Sequence, residues 1–306
     1  MNASARSLPP KPRRGRRNRF TPADLVLFLL LTLLGLVIVL PFYNAIMVSF
    51  VSEAEYYRAP FILFPRSLTL DAYRTMFKTG NILRGYGNTL IHIAIGLPLS
   101  LFVTFSLGYV LSRPRYPGRK LLHIYVLITM LFSGGMVPSF MLIRSIGLMN
   151  TRWSVILSCL LSTFYAILIA NFIRSLPDAL IESARLDGAS EFRILVQIVL
   201  PLSKPILATI TLFYAVDKWN EWWNSMLYIN HNDMFPLQLV LQNIINNYQM
   251  TNQNEITSGD ALNHMKTFSM GIKMSAIVVT MLPIMCVFPF LQRFFVKGIM
   301  IGAVKG

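Results

Sequence analysis

The sequence predicts an all-α, polytopic membrane protein with six transmembrane helices and a charged cytoplasmic loop between the fourth and fifth. Three observations predict it. Hydrophobic residues make up 54% of the 306-residue chain and charged residues only 13%, against about a quarter charged in a soluble domain. The apolar residues fall in blocks of about 20, the length that crosses a bilayer core. The Lys and Arg residues gather at the ends of those blocks.

Each element follows from its own stretch of sequence. Residues 1–24 are a basic arm, with Arg13, Arg14, Arg16, Arg17 and Arg19 ahead of the first span at 25–50. That span is too long for a signal-peptide core and lacks a small-residue cleavage site, so it reads as a retained helix. An extracytoplasmic loop at 51–88 leads to a core at 89–296 and a tail at 297–306. Within the core, the second span runs from Thr89 to Leu111. The third runs from Leu121 to Ile143, interrupted near Ser133-Gly134-Gly135 and Pro138. The fourth runs from Trp153 to Ile173, the fifth from Pro205 to Tyr228 and the sixth from Ser275 to Leu291. Pro98, Pro283 and Pro289 lie inside spans, where neighbouring helices can satisfy the backbone groups that proline frees.

The arm, the second and fourth connections and the tail carry 18 of the 28 Lys and Arg residues. Loops rich in these residues stay in the cytoplasm, which puts both termini inside. The net charge of +15 is therefore read as retention against an anionic leaflet. Nucleic-acid binding is not expected, because no basic patch is interleaved with aromatic residues.

Motifs for covalent chemistry are missing. There is no phosphate-binding G-x-x-x-x-G-K-[ST], and His92, His123, His231 and His264 have no metal-ligand spacing. Cys159 and Cys286 both sit in apolar segments. No enzyme activity, bound cofactor or metal is expected in this chain.

The loop at 177–204 is the most informative stretch. Pro177 suits the first turn of a helix, with Asp178 and Glu182 near its positive end. Gly188 allows a turn closed to bulkier residues. Phe192, Leu195 and Val199 then recur at helical spacing. The residues alone also fit a helix lying in the headgroup layer. Yet Glu182-Ser183-Ala184, Asp187-Gly188 and Leu200-Pro201 together resemble the EAA loop of importer permeases of the ATP-binding-cassette class, in the carbohydrate-uptake branch. Ser183 departs from the usual alanine of that pattern. The resemblance runs from about Asn88 to the C-terminus, where Arg293 to Gly306 is similar to the second permease of maltose-type and complex-polysaccharide systems, including alginate-type ones.

The resemblance implies the rest. The loop would be a coupling helix that docks on an ATPase, with Glu182 facing a basic residue of that partner and Gly188 forming the bend. A second permease, two ATPase subunits holding ATP and Mg, and an extracytoplasmic solute-binding protein would complete a carbohydrate importer in a bacterial cytoplasmic membrane. The alternative is an ion-coupled secondary transporter acting without an ATPase.

Asp217-Lys218-Trp219-Asn220-Glu221-Trp222-Trp223-Asn224 begins 12 residues after Pro205, roughly 18 Å along a helix and past the middle of a core about 30 Å thick. Charges so deep usually face a cavity or a partner. With Trp219, Trp222, Trp223 and Met226 on one helical face, Asp217, Trp219, Asn220, Glu221 and Trp223 are expected to line a translocation path, and Asn220, Glu221 and Asn224 to reach sugar hydroxyls. A tryptophan belt at the outer membrane surface accounts for the same residues. In the loop after the fifth span, Leu237, Leu241, Ile244 and Tyr248 predict a short amphipathic helix, able to meet a binding protein or simply to face solvent.

Overall fold

The computed structural model describes residues 22–58, 62–78, 80–114, 116–246 and 269–303. Most of the basic arm, residues 247–268 with Tyr248 and Asn252, and the last three residues lie outside them. Among the described residues the chain is helical and contains no strand.

Two units divide the chain, 1–44 and 45–306. The first is part of one apolar helix, α1 (Pro22–Ser49), with Pro41 inside it. The second unit holds the remaining helices. α2 (Glu53–Arg58) and α3 (Asp71–Lys78) occupy the first connection, and α4 (Asn81–Ser112) is the long unbroken span. α4 begins at Asn81 rather than Thr89. Its first two turns carry Arg84, Tyr86 and Asn88, which hide the helix from a hydropathy reading; Arg84 and Asn88 bond the loop at Asp233, and the Tyr86 hydroxyl donates to the Val279 carbonyl of the last helix.

α1, α4 and Met270–Val287 of the last helix are each long and apolar enough to cross a membrane. Three bent pairs reach that length and hydropathy only when the two helices of each are taken together. α5 (Arg119–Leu131) and α6 (Met136–Ser145) meet at 112°, α7 (Arg152–Ser158) and α8 (Thr163–Arg174) at 47°. After α9 (Asp178–Leu186), α10 (Glu191–Leu202) meets α11 (Lys204–Trp219) at 77°. The expected fifth span from Pro205 to Tyr228 therefore stops at Trp219, and α12 (Trp223–Tyr228) follows after a break. The expected common face of Trp219, Trp222, Trp223 and Met226 does not form, because the 3.6-residue period is lost across that break.

Broken helices at membrane depth leave backbone groups that water cannot satisfy, so other protein groups must. The α7–α8 break meets this demand from two sides. The Cys159 carbonyl accepts from Lys218 Nζ at 3.2 Å and Ser100 Oγ at 3.4 Å. The Ser162 N–H donates to the Tyr214 hydroxyl at 2.9 Å, which also bonds Thr104. Lys218 is 5% exposed and reaches Cys159 beside Gly96, where a Cβ would stand 3.1 Å from its Nζ. Any larger residue there would press the amine aside by a few tenths of an ångström. Tyr165 donates to Asp217 at 2.8 Å, joining α8 to α11.

After α12, the expected amphipathic helix is found as α13 (237–246). Leu237, Leu241 and Ile244 turn inward to Met76, Trp219 and Ala276. Asn88 Nδ2 donates to the Asp233 and Phe235 carbonyls, and Thr89 Oγ1 accepts from the Leu237 N–H. α14 (Ser269–Ala303) carries Pro283 and Pro289.

Candidate functional site

The loop between α8 and α11 is built by a sequence of caps. Pro177 is extended and starts α9. At its other end the Gly188 N–H donates to the Arg185 carbonyl at 3.0 Å and the Ala189 N–H to the Ala184 carbonyl at 2.9 Å. This is the Schellman arrangement, which needs a left-handed residue at the turn. Gly188 supplies it with φ 78°. Ser190 then caps α10, its Oγ accepting from the Arg193 N–H at 3.3 Å. In Asp187-Gly188-Ala189-Ser190, therefore, each residue has one position in a helix–elbow–helix.

α10 contains a π turn, Leu195–Val199. Its wide spacing lets Pro201 follow, since proline has no N–H to donate and crowds the carbonyl four residues back in an α-helix. Ile194 and Val199 are buried with Ile181 against Phe105, Tyr109, Ile169, Ile173, Ile210 and Tyr214. Leu195 packs at the margin, while Phe192 is 74% exposed. The three residues read at helical spacing, Phe192, Leu195 and Val199, therefore do not share one packed face.

The opposite face is open. Glu182, Ser183, Asp187 and Gly188 are exposed, beside Leu186 at 89% exposure and Phe192. Leu200 is partly exposed. Neither the Glu182 nor the Asp187 carboxylate has a hydrogen-bond or ion-pair partner among the described residues. Glu191 behaves differently. It accepts from Arg185 at 2.6 Å and Tyr109 at 2.8 Å, with Arg113 at 3.8 Å. Burial by itself would raise its carboxyl, but the bonds from Tyr109 and Arg185 and the two guanidinium charges outweigh that and hold it below its ordinary value.

The second region is the break in the fifth span. Glu221 caps α12: its Oε1 accepts from the Asn224 N–H at 2.7 Å and its Oε2 from Asn224 Nδ2 at 3.1 Å and Cys159 Sγ at 3.4 Å. A cavity of about 510 Å³ opens in front of this cap. Ser133, Gly135, Ser139, Ser158, Trp223, Asn224 and Tyr228 are among its lining residues, giving hydroxyls, an amide and two aromatic surfaces without a charged group.

The five expected path residues part company here. Trp223 lines the cavity. Glu221 sits behind it, bound to its own helix and beside a void of about 10 Å³ shared with His92, Cys159 and Lys218. Trp219 is 8% exposed, edge-on to Tyr86 at 6.0 Å, and faces an apolar crevice with Ile93, Leu212 and Pro283. Asp217 is occupied by Tyr165, and Asn220 accepts from Gln238 at 3.3 Å. Ser139, Ser158 and Tyr228 were not anticipated. They come from helices that the sequence reading ran together, and the visible trace of that side of the cavity was the Ser133-Gly134-Gly135 interruption.

Residues 78–301 match the family model described as "Binding-protein-dependent transport system inner membrane component". Protein LplC of Bacillus subtilis (strain 168) is 42% identical over 89% of this chain and 91% of its own length. The polygalacturonan/rhamnogalacturonan transport system permease protein YtcP of the same organism is 38% identical over 92% and 98%. A chain from the crystal structure of a bacterial ABC transporter involved in the import of the acidic polysaccharide alginate superposes with a TM-score of 0.80, 29% identity, and coverage of 93% of this chain and 100% of that one.

Proposed function

The chain belongs to the family of binding-protein-dependent transport system inner membrane components, and on that premise we propose that it couples sugar passage to an ATPase through the loop at 177–204. It is the membrane permease subunit of an ABC carbohydrate importer and not an enzyme. ATP and Mg belong to two partner ATPase subunits. A second permease completes the path, and an extracytoplasmic binding protein delivers an oligo- or polysaccharide to the outer side, where α13 is held against the end of α4. The core at 89–296 carries this work, with the arm at 1–24 and the tail at 297–306 in the cytoplasm.

One observation carries the coupling reading. The loop has an inner face packed into the membrane core and an outer face with two unpartnered carboxylates, Glu182 and Asp187, beside exposed Leu186 and Phe192. A side chain anywhere on that outer face is free to meet another subunit, and movement there is transmitted by the packed face. An ATPase that binds one permease arrangement more tightly than the other shifts the population between them. Replacing Gly188 by Trp puts a bulky residue at φ 78°, a conformation that costs about 1–2 kcal/mol without glycine. G188W is expected to abolish uptake while the protein remains in the membrane. Normal transport by G188W would end the coupling reading, and uptake by the permeases without ATPase subunits would favour the ion-coupled alternative.

The sugar path is assigned to the cavity at Trp223. An aromatic face suits a sugar ring, while Ser139, Ser158 and Asn224 can bond its hydroxyls. The orientation has its own test. A reporter fused after Gly306 should work only in the cytoplasm and one near Asn252 only outside; the reverse at either position would invert the topology.

A further inference from the structure

We propose that Glu191 is a positioning residue that clasps both arms of the coupling loop to the cytoplasmic end of α4, so that loop motion becomes motion of that span. The proposal rests on the coupling reading above but concerns residues outside the Glu-Ser-Ala and Asp-Gly positions that carry it.

One carboxylate joins three elements. Glu191 Oε1 accepts from Arg185 Nη2 at 2.6 Å and Nε at 3.1 Å, which bridges α9 to α10 across the Gly188 elbow. Its Oε2 accepts from the Tyr109 hydroxyl at 2.8 Å in the last turn of α4. Arg113, just beyond that turn, donates from Nη2 to the same hydroxyl at 2.6 Å, stands 4.3 Å over the Tyr109 ring, and lies 3.8 Å from Glu191. The Arg113 side chain is 12% exposed, so water does little to neutralise it if the carboxylate is lost. The α8 side is tied to the same end of α4, since Arg174 donates to the Leu111 carbonyl at 2.8 Å.

The apolar contacts of Ile181, Ile194 and Val199 hold the loop against the core but have little directionality. Hydrogen bonds fix angles. With the clasp intact, α9 and α10 cannot open at Gly188, nor slide along α4, without breaking charge-assisted bonds, which are stronger than neutral ones. With it removed, an ATPase can still grip Glu182 and Asp187, but part of the stroke is spent in the elbow.

The test uses the complete transporter with both permeases, ATPase and binding protein in proteoliposomes, and reads ATP hydrolysed per sugar imported. E191Q keeps size and loses charge. It is expected to assemble with the ATPase as the parent does and to raise that ratio about fivefold or more, in the range of ordinary coupling effects. Y109F is expected to give a smaller rise, and the double variant about the same ratio as E191Q, because the two groups act through one bond. An unchanged ratio in E191Q, or effects of the two substitutions that simply multiply, overturns the clasp. G188W is run alongside. If it uncouples while E191Q does not, the clasp fails alone; if G188W also transports normally, the coupling reading fails with it.

Discussion

The coupling loop and the break in the fifth span use the same chemistry for opposite ends. Each interrupts a helix and each places carboxylates at the interruption. At the break, Glu221 is fully occupied, its oxygens taken by Asn224 just after it and by Cys159 at the α7–α8 break. At the loop, Glu191 is consumed across elements, while Glu182 and Asp187 are left open. A carboxylate in a break within the membrane must be satisfied by protein, because water is scarce there. Exposed to water, a carboxylate can wait for a partner at little cost. Which acidic residue is available to another subunit is thus decided by depth.

That contrast can be broken at several points. The largest effect on stability is expected inside the fifth span. Trp219→Ala empties a packed position beside Tyr86 and should cost about 3–5 kcal/mol, whereas Trp223→Ala, at a cavity wall, should leave thermal unfolding within about 0.5 kcal/mol of the parent but lower uptake or change sugar preference. Equal destabilisation by both would mean that Trp223 is structural. Next comes the pair of carboxylates. Glu221→Ala removes the acceptor at the start of α12 and is expected to lower stability by about 1–2 kcal/mol, measured by the thermal midpoint of the purified permease pair. Glu182→Ala should leave that midpoint in place and weaken retention of the ATPase. A Glu182 variant that unfolds early would show that the outer face is packed after all.

The smallest effect is a pH dependence. The folded Glu191 carboxyl lies below its ordinary value of 4.5, so its contribution to stability is present above that value and is lost as pH falls through the lowered folded value. Glu191 is largely solvated, which keeps the contribution small. The difference in thermal midpoint between the parent and E191Q should be visible near neutral pH and shrink as the medium is acidified below the ordinary carboxylate range. A difference that grows on acidification would contradict the bonding described for Glu191.

Much of this was legible in sequence for identifiable reasons. Long uninterrupted apolar runs predict long helices well: α1, α4 and α14 each cover an expected span, although α4 and α14 run beyond theirs at both ends. Asp187-Gly188-Ala189-Ser190 is legible because a C-cap, a left-handed glycine and an N-cap each demand a particular residue type. The breaks at 159–162 and 220–222 were not, because hydropathy measures the side chains and says nothing of where the backbone stops donating to itself. The positions of Trp219 and Trp223 followed from that omission: four residues apart on an ideal helix they would share a face, and the break sends one into the core and the other to the cavity. The helical spacing of Phe192, Leu195 and Val199 does not carry through α10 for a related reason, since a π turn changes the period at Leu195–Val199.

The bond from Lys218 to the Cys159 carbonyl also has a bearing on biogenesis. A lysine at the centre of a spanning helix disfavours insertion by about 2.5–3.5 kcal/mol, and Lys218, one residue from the end of α11, carries part of that cost. Synthesis proceeds from the N-terminus, so Gly96 and Cys159 have both been made before Lys218 emerges. The acceptor and the space for the amine can therefore already be in the membrane when the fifth crossing arrives, and that crossing enters as a neighbour of the fourth rather than on its own hydrophobicity. A fifth crossing transplanted behind an unrelated helix would lack both and would be the one that the insertion machinery turns away.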